Sequence, residues 1–332
     1  MTDRVVDMHT HFYTDGYLKA VEAAPSTDVY RRDDDGRYVC RWQGGVALTV
    51  PQPHPGVAQR LEMMDELGIS MQVLSVPSPN AYFLPADEGR TLADTVNEEF
   101  AEIAREHPDR FDWLAMVPMQ DVPEAIAAAD HAIDQLGAKG LHLLTNVNGT
   151  YLDDPGFEPF WAYAESRGLL VYLHPTVPEP TKSLEPHALG IAMGFFADTN
   201  LSVARLAYSG VFARYPSIRW VISHLGGTLP FMLPRLDSYW RQFPAANERC
   251  PEPPTSYIKS LVFDTASSHR PAITCAAETF GQERLVYGSD HPHVPGGSGP
   301  YLKALDVLSL TDDQREALLH GRADTLLTGG RV

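Results

Sequence analysis

Short apolar runs alternate with amphipathic helical stretches from one end of the 332-residue chain to the other. Repeated strand-then-helix units imply parallel strands joined by right-handed crossovers. Eight such strands are predicted, at residues 5–11, 71–78, 113–120, 139–146, 169–176, 218–227, 260–267 and 284–293. This number favours an α/β fold that closes into a (β/α)8 barrel, a TIM barrel. An open doubly wound sheet is the alternative.

One segment interrupts the alternation. Residues 16–56, after the first strand, are rich in proline, glycine and charge. The sequence "RRDDDGRYVCRW" within them predicts a small β-hairpin, which we expect near the barrel mouth. No linker divides the rest of the chain, so a single domain over residues 1–332 is predicted. No glycine-rich phosphate-binding motif follows the first strand, which argues against a nucleotide-binding fold.

Charge and composition exclude some partners. The net charge is −17, whereas nucleic-acid binding requires basic patches. No run of 18 or more apolar residues exists to cross a membrane. The three cysteines Cys40, Cys250 and Cys275 are widely spaced and suit a reducing compartment. We therefore expect a cytoplasmic protein whose partner is a small molecule.

Histidine and aspartate side chains stand at the ends of four predicted strands. In a barrel of this kind, functional residues lie at the carboxyl ends of the strands, around one mouth. A single histidine at a strand end is more often structural, but the joint pattern predicts a divalent metal site with an open position. The residues are His9 and His11 on strand one, His174 on strand five, His224 on strand six and Asp290 on strand eight.

Four motifs, "DMHTHF", "LHP", "ISHLGG" and "YGSDHP", occur in this order along the chain, and the similarity described next covers roughly residues 5–325. In this respect the chain resembles the amidohydrolase superfamily, and most of all its decarboxylase branch, typified by aminocarboxymuconate-semialdehyde decarboxylase. The resemblance implies that His224 is a catalytic histidine beside the metal. It implies that the metal ligands are His9, His11, His174 and Asp290.

The resemblance also bears on the number and kind of metal ions. Binuclear amidohydrolases carry a bridging lysine at the end of strand four, but here Lys139 begins that strand. One divalent ion is therefore expected. Zinc and manganese both occur among the relatives, and three histidines favour zinc.

Substrate-binding residues are less well determined by the sequence. The decarboxylase relative has a carboxylate-binding arginine where this chain reads "LTVPQPHPG", so Arg41 is a candidate substitute, with a solvated surface role as the alternative. Tyr82 and Phe83 are candidate walls for an aromatic substrate, or else core or lid residues. His291 and His293 follow the metal aspartate, where relatives have an aromatic residue, and could form a polar pocket.

The resemblance implies nonoxidative decarboxylation of a small unsaturated or aromatic carboxylic acid. The metal would act as a Lewis acid, and His224 and Asp290 would transfer the proton. The same residues could instead serve an amide or lactone hydrolase or a hydratase, and a structural metal site in a binding protein is a third hypothesis. Kinship alone implies a homodimer.

Overall fold

The computed structural model describes residues 4–31, 38–43, 45–50, 56–178, 184, 188–243, 248–293 and 299–332. Its strands are β1 Val6–His11, β2 Thr27–Arg31, β3 Tyr38–Trp42, β4 Gly45–Val50, β5 Met71–Ser75, β6 Phe111–Trp113, β7 Leu141–Leu144, β8 Asn146–Val147, β9 Thr150–Tyr151, β10 Leu170–His174, β11 Arg219–Ile222, β12 Val262–Asp264 and β13 Leu285–Val286.

The helices lie mainly between the parallel strands. They are α1 Asp15–Ala23, α2 Val57–Leu67, α3 Ala86–Glu106, α4 Val122–Asp130, α5 Glu158–Ser166, α6 Phe195–Tyr208, α7 Val211–Arg214, α8 Leu229–Gln242, α9 Pro254–Ile258, α10 Arg270–Phe280, α11 Gly299–Ala304, α12 Asp312–Glu316 and α13 Arg322–Leu327. None of the helices in these described ranges combines the length and the apolar character that a bilayer crossing requires.

Eight parallel strands form the barrel. One sheet has the order β1-β5-β6, and the other has the order β7-β10-β11-β12-β13. Two parallel bridges, between Thr10 and His291 and between Ala115 and Leu141, join the sheets on both sides. The ring of strands is therefore closed, and the predicted (β/α)8 barrel is confirmed. The eighth strand is much shorter than predicted, because regular pairing covers only Leu285 and Val286.

Successive side chains of a barrel strand point alternately into the barrel interior and towards the surrounding helices. In β10, Leu170 and Tyr172 belong to an interior cluster with residues such as Val221 of β11. Val171 and Leu173 instead join the larger core that includes the helices. Side chains two residues apart in a strand share a face, so His174 faces the interior like Tyr172.

A three-stranded antiparallel sheet follows α1, where the sequence predicted a hairpin. The strands β2, β3 and β4 pair in that order, and the third strand is the apolar run "GVALTV". His293 Nδ1 donates to the Thr49 carbonyl at 3.1 Å, and Gln43 Nε2 donates to Asn148 Oδ1 at 3.1 Å. This mouth sheet, β2–β4, is thus tied to loops that follow two different barrel strands. The predicted hairpin tip at 32–37 lies outside the described residues.

Candidate metal centre

His9 and His11 end β1, and both are buried inside the barrel mouth. The pairing of β1 with β5 is irregular between Asp7 and Thr10, so the face of β1 that points into the barrel changes along the strand. The imidazoles of His9 and His11 both point into the barrel mouth as a result. Their Nε2 atoms lie only 3.1 Å apart.

Hydrogen bonds determine which nitrogen of each imidazole carries the proton. His9 Nδ1 lies 2.8 Å from Asp264 Oδ2, a carboxylate oxygen that can only accept. His11 Nδ1 lies 3.0 Å from Ser75 Oγ, whose own hydrogen is donated to the Thr10 carbonyl. Both Nδ1 atoms must therefore donate, which leaves the lone pair of each Nε2 available for an electrophile.

His174 has the same arrangement. Its Nδ1 lies 2.8 Å from the Pro175 carbonyl, so this nitrogen carries the hydrogen. Its Nε2 is buried and has no hydrogen-bond partner among the described residues. A buried acceptor without a partner is costly, and a cation at this position would remove that cost.

Asp290 brings a carboxylate to these lone pairs. Its Oδ1 lies 3.0 Å from His11 Nε2 and 3.3 Å from His9 Nε2, and its Oδ2 lies 3.3 Å from His224 Nε2. One ligand atom from each of His9, His174, His224 and Asp290 lies within 4.8 Å of the others. Two nitrogens bound to one zinc ion at about 2.0–2.1 Å would lie about 3 Å apart, as the Nε2 atoms of His9 and His11 do. The residues present fit one divalent cation.

The electrostatics of the cluster also favour a positive charge. Burial acts against protonation of His9, but Asp264 and Asp290 raise its pKa to about 10. Burial alone would raise the pKa of Asp290, yet His9, His11 and His224 hold it well below its usual range. Burial lowers the pKa values of His11 and His174 well below the ordinary value. His11 and His174 are therefore neutral, Asp290 is ionised, and a positive charge is favoured at His9, where a metal ion could replace the proton; these are the conditions of a metal site.

The cluster opens on the side of His224 and Asp290. The His9 and His11 side chains have no exposed surface, whereas His224 is 9% and Asp290 20% exposed. His224 and Asp290 adopt left-handed φ angles of 53° and 63°. This conformation is uncommon for non-glycine residues. Backbone hydrogen bonds hold them there, since His224 donates to Asp264 Oδ1 and Asp290 donates to the His9 carbonyl.

Gly288 allows β1 to approach the loop that carries Asp290. A Cβ atom at this position would lie 2.7 Å from the Cβ of His9 and 3.0 Å from that of Asp264. Real Cβ atoms do not approach so closely, so any side chain here would displace the two residues. The glycine is needed for close packing beside the candidate ligands.

Asp264 and His142 were not identified from the sequence, although both lie beside the cluster. Asp264 ends β12 and accepts hydrogen bonds from His9, from the Tyr172 hydroxyl and from the His224 and Ala266 amides. The strand-end rule that selected the other residues would have found it in "SLVFDTAS". His142 in β7 is buried and stacks on Tyr172 at 5.7 Å. Burial and His9 lower its pKa to about 3, so it is neutral.

Of the residues predicted to bind substrate, His291 and His293 lie nearest the cluster. The His291 carbonyl accepts the His11 amide at 2.7 Å. The His293 ring lies 5.4 Å from the His11 ring, and its Nε2 accepts from the Tyr13 hydroxyl at 2.6 Å, because Nδ1 donates to Thr49. His293 therefore connects the metal cluster, Tyr13 and the mouth sheet.

The other three predicted residues are placed differently. Arg41 lies in β3, opposite Asp28 and Val46 of the neighbouring strands. Tyr82 and Phe83 follow β5 and are both buried, and the Phe83 ring packs edge-on against Tyr17 of α1 at 6.2 Å. Phe83 thus contributes to packing between the β5 loop and α1. The predicted departure at "PQPHP", residues 51–55, lies outside the described residues.

Comparison with known proteins gives a consistent result. The sequence profile of an amidohydrolase family matches residues 6–327. A 2-amino-3-carboxymuconate-6-semialdehyde decarboxylase from Dictyostelium discoideum is 28% identical over 269 residues, which are 80% of this chain and 74% of the relative. A 6-methylsalicylic acid decarboxylase from Penicillium expansum is 26% identical over 295 residues, which are 87% of this chain and 85% of the relative.

A solved structure with similar architecture is a dihydroxybenzoic acid decarboxylase from Polaromonas sp. JS666, with bound manganese and the inhibitor 2-nitroresorcinol. It superposes with a TM-score of 0.82 at 22% identity and covers 99% of this chain and 98% of its own. At this identity the similarity supports the fold.

Proposed function

Because this chain belongs to the amidohydrolase family, we propose that it is a metal-dependent enzyme that decarboxylates a small aromatic or unsaturated carboxylic acid without oxidation. The observation that carries the proposal is the approach of the His9 and His11 Nε2 atoms to Asp290 Oδ1 at the barrel mouth, with the buried Nε2 of His174 beside them. Both curated relatives described above are decarboxylases of small acids. This supports decarboxylation over hydrolysis or hydration by the same residues.

We propose that His9, His11, His174 and Asp290 hold the ion. Three imidazoles support zinc, and manganese, which the Polaromonas structure contains, is the alternative. When bound, the ion would supply positive charge that holds the substrate carboxylate or an adjacent oxygen. Metal analysis of the purified protein, followed by reconstitution with each ion, distinguishes the two.

The remaining chemistry needs a proton at carbon. In decarboxylation the bond to the carboxyl group breaks, its electron pair stays on the substrate carbon, carbon dioxide leaves and a proton forms the new C–H bond. His224 Nε2 and Asp290 Oδ2 lie 3.3 Å apart on the exposed side of the cluster, so one proton can be held between them. We assign proton delivery to this pair, since a positioned imidazole can act as a general acid or base.

Contact with the rest of the substrate is proposed for residues around the same opening. His293, whose two ring nitrogens are held by Tyr13 and Thr49, is fixed beside His11, and we propose that its ring contacts the substrate. His291, Arg41 and Tyr82 remain further candidates. For Phe83, its burial against Tyr17 supports a structural role instead.

The test is carbon dioxide release from a panel that includes 6-methylsalicylate, dihydroxybenzoates and a muconate-like acid. Release with the metal-loaded enzyme, and release at least about 100-fold slower with the His224→Ala variant, is the expected result. Hydrolysis of lactones or amides by the same preparation, without carbon dioxide release from any acid, would overturn the proposal in favour of a hydrolase.

We also propose that the protein, as one domain, forms a homodimer through apolar side chains on α6, α8 and the turn before α6. The exposed fractions include 63% for Met193, 45% for Leu201 and 86% for Phe231. Asn200 Nδ2 donates to Thr228 Oγ1, and the Thr228 amide donates to Asn200 Oδ1, so α6 is joined to the start of α8 and these side chains lie on neighbouring elements. Large apolar surface of this kind marks interaction sites. Light scattering should give a molar mass twice that of one chain. The Phe231→Ser substitution should lower this mass towards that of the monomer.

A further inference from the structure

A second cleft lies at the opposite end of the barrel from the metal cluster. It has a volume of about 350 Å³ and is lined by Arg219 and Val262, which are the first residues of β11 and β12. The start of a strand lies at the amino end of the barrel, whereas the metal cluster lies at the carboxyl end. We call this site the basal cleft and define it by Arg219, Arg284, Arg331, Phe212, Trp220 and Leu261.

Three arginines line the basal cleft in a chain whose net charge is −17. Among the described residues, no aspartate or glutamate side chain forms an ion pair with Arg219, Arg284 or Arg331. Elsewhere on the surface arginines do pair with carboxylates, as Arg167 does with Asp134. The basal cleft is therefore a local concentration of arginine charge that no aspartate or glutamate side chain of the described residues pairs with.

Two of the guanidinium groups are held in place by backbone carbonyls. Arg219 Nε donates to the Gly168 carbonyl at 3.0 Å, and another of its nitrogens donates to the Leu326 carbonyl. Arg284 donates to the backbone oxygen of Val332. Each guanidinium has five N–H donors, so donors remain for a ligand after these bonds are made. Arg331 has an exposed side chain beside them.

The wall opposite the charges is apolar and aromatic. Phe212, Trp220 and Leu261 are all buried, and the Phe212 and Trp220 rings lie 5.3 Å apart at 81°. Burial, together with the neighbouring Arg331 charge, lowers the pKa of Arg219. The Arg219 and Arg331 charges thus act on each other within the basal cleft. An anion would relieve this repulsion.

We propose that the basal cleft binds a small aromatic carboxylate. A guanidinium forms two parallel hydrogen bonds to a carboxylate, and the aromatic wall can cover one face of a ring. The volume lies at the lower end of the range for small-molecule sites, which suits a single ring. This site is separate from the proposed active site and does not depend on the reaction assigned there.

The experiment is a calorimetric titration of the full chain with benzoate as the probe. Arg331→Gln removes one charge from the basal cleft, and we expect about tenfold weaker benzoate binding, which corresponds to the loss of one charge-assisted hydrogen bond. Arg105→Gln is the matched control, because Arg105 is a surface arginine of α3 with 73% of its side chain exposed. Its affinity for benzoate should equal that of the unaltered protein.

A second variant and a second probe distinguish binding in the basal cleft from binding at the proposed active site. His174→Ala alters the metal cluster and should leave benzoate binding in the basal cleft intact. Inorganic phosphate, which has no apolar body, should bind at least tenfold more weakly than benzoate. Equal benzoate affinity in Arg331→Gln, loss of all binding in His174→Ala, or phosphate binding as tight as benzoate would each overturn the proposal.

Discussion

His9 Nδ1 lies 2.8 Å from Asp264 Oδ2, although 255 positions separate the two residues in the chain. The carboxylate also accepts the amide of His224 at 2.9 Å and a hydrogen bond from the Tyr172 hydroxyl. One buried aspartate thus orients a candidate metal ligand and the backbone of the candidate catalytic histidine. Four experiments on this centre follow from its geometry.

Asp264→Asn should weaken metal binding. The Asp264 carboxylate accepts hydrogen bonds on both oxygens. An asparagine would replace one oxygen with an NH₂ group that faces existing donors, so the hydrogen bonds around it would rearrange and His9 would lose its fixed orientation. Loss of such a partner typically lowers metal affinity or activity by about 10- to 100-fold. Competition with a chelator measures the affinity. Asp87→Asn on the surface of α3 is the control and should change nothing, while wild-type affinity in Asp264→Asn would contradict the assigned role.

His224→Ala tests whether this histidine is a catalyst or a ligand. Its Nε2 lies beside Asp290, and it belongs to the group of atoms within 4.8 Å that could hold an ion. We expect turnover to fall by at least about 100-fold, the usual loss with a general acid or base, while metal content remains near one ion per chain. His107→Ala, at the end of α3, should retain activity. Loss of the metal in His224→Ala would instead make His224 a ligand.

Gly288→Ala should disturb the metal centre through packing alone. The added Cβ would lie 2.7 Å from the Cβ of His9, so the strand ends must separate. We expect a loss of about 1–3 kcal/mol in the free energy of unfolding, as in other overpacked interiors, together with weaker metal binding. Gly190→Ala is the matched control, because a Cβ there meets nothing within 4 Å. Thermal unfolding measures the stability of both variants, and chelator competition measures their metal affinity. Equal stability and equal metal affinity in Gly288→Ala and Gly190→Ala would refute the packing argument.

Removal of the metal should abolish activity and lower thermal stability. A ligand that binds only the folded chain stabilises it by about 2.7 kcal/mol at a free concentration of 100 times its Kd. Dialysis against a chelator should therefore lower Tm, and addition of zinc or manganese should restore both Tm and turnover. Full activity in protein shown by elemental analysis to be free of metal would contradict the proposed centre.

Strand-end chemistry was largely predictable from the sequence. His174 in "LHP" and Asp290 in "SDHP" follow apolar runs, and parallel strands must end at the same side of a barrel. That reasoning anticipated which side chains the structure brings together around one opening. The same rule applied to "VFDTAS" would have included Asp264.

Other features could not be predicted because they depend on packing between distant segments. The sequence left Phe83 in "NAYFLP" open between a substrate wall and a core or lid residue, and only its contact with Tyr17 supports the core position. The third strand of the mouth sheet, "GVALTV", is followed by prolines, so its pairing with β3 was not evident locally. The hydrogen-bond acceptor for His293 Nδ1 is the backbone carbonyl of Thr49, which no pattern of residue types reveals.

The sequence by itself determined the barrel, the residue types at its mouth and their order, because strand periodicity and strand ends are local properties. Only the tertiary structure decided that each Nδ1 of His9, His11 and His174 donates a hydrogen bond and each Nε2 lone pair remains available. Those bonds go to Asp264, Ser75 and a backbone carbonyl, and two of these acceptors lie on other strands. The direction of an imidazole lone pair is fixed by the acceptor on its other nitrogen, so the metal centre is specified only when the strands are assembled.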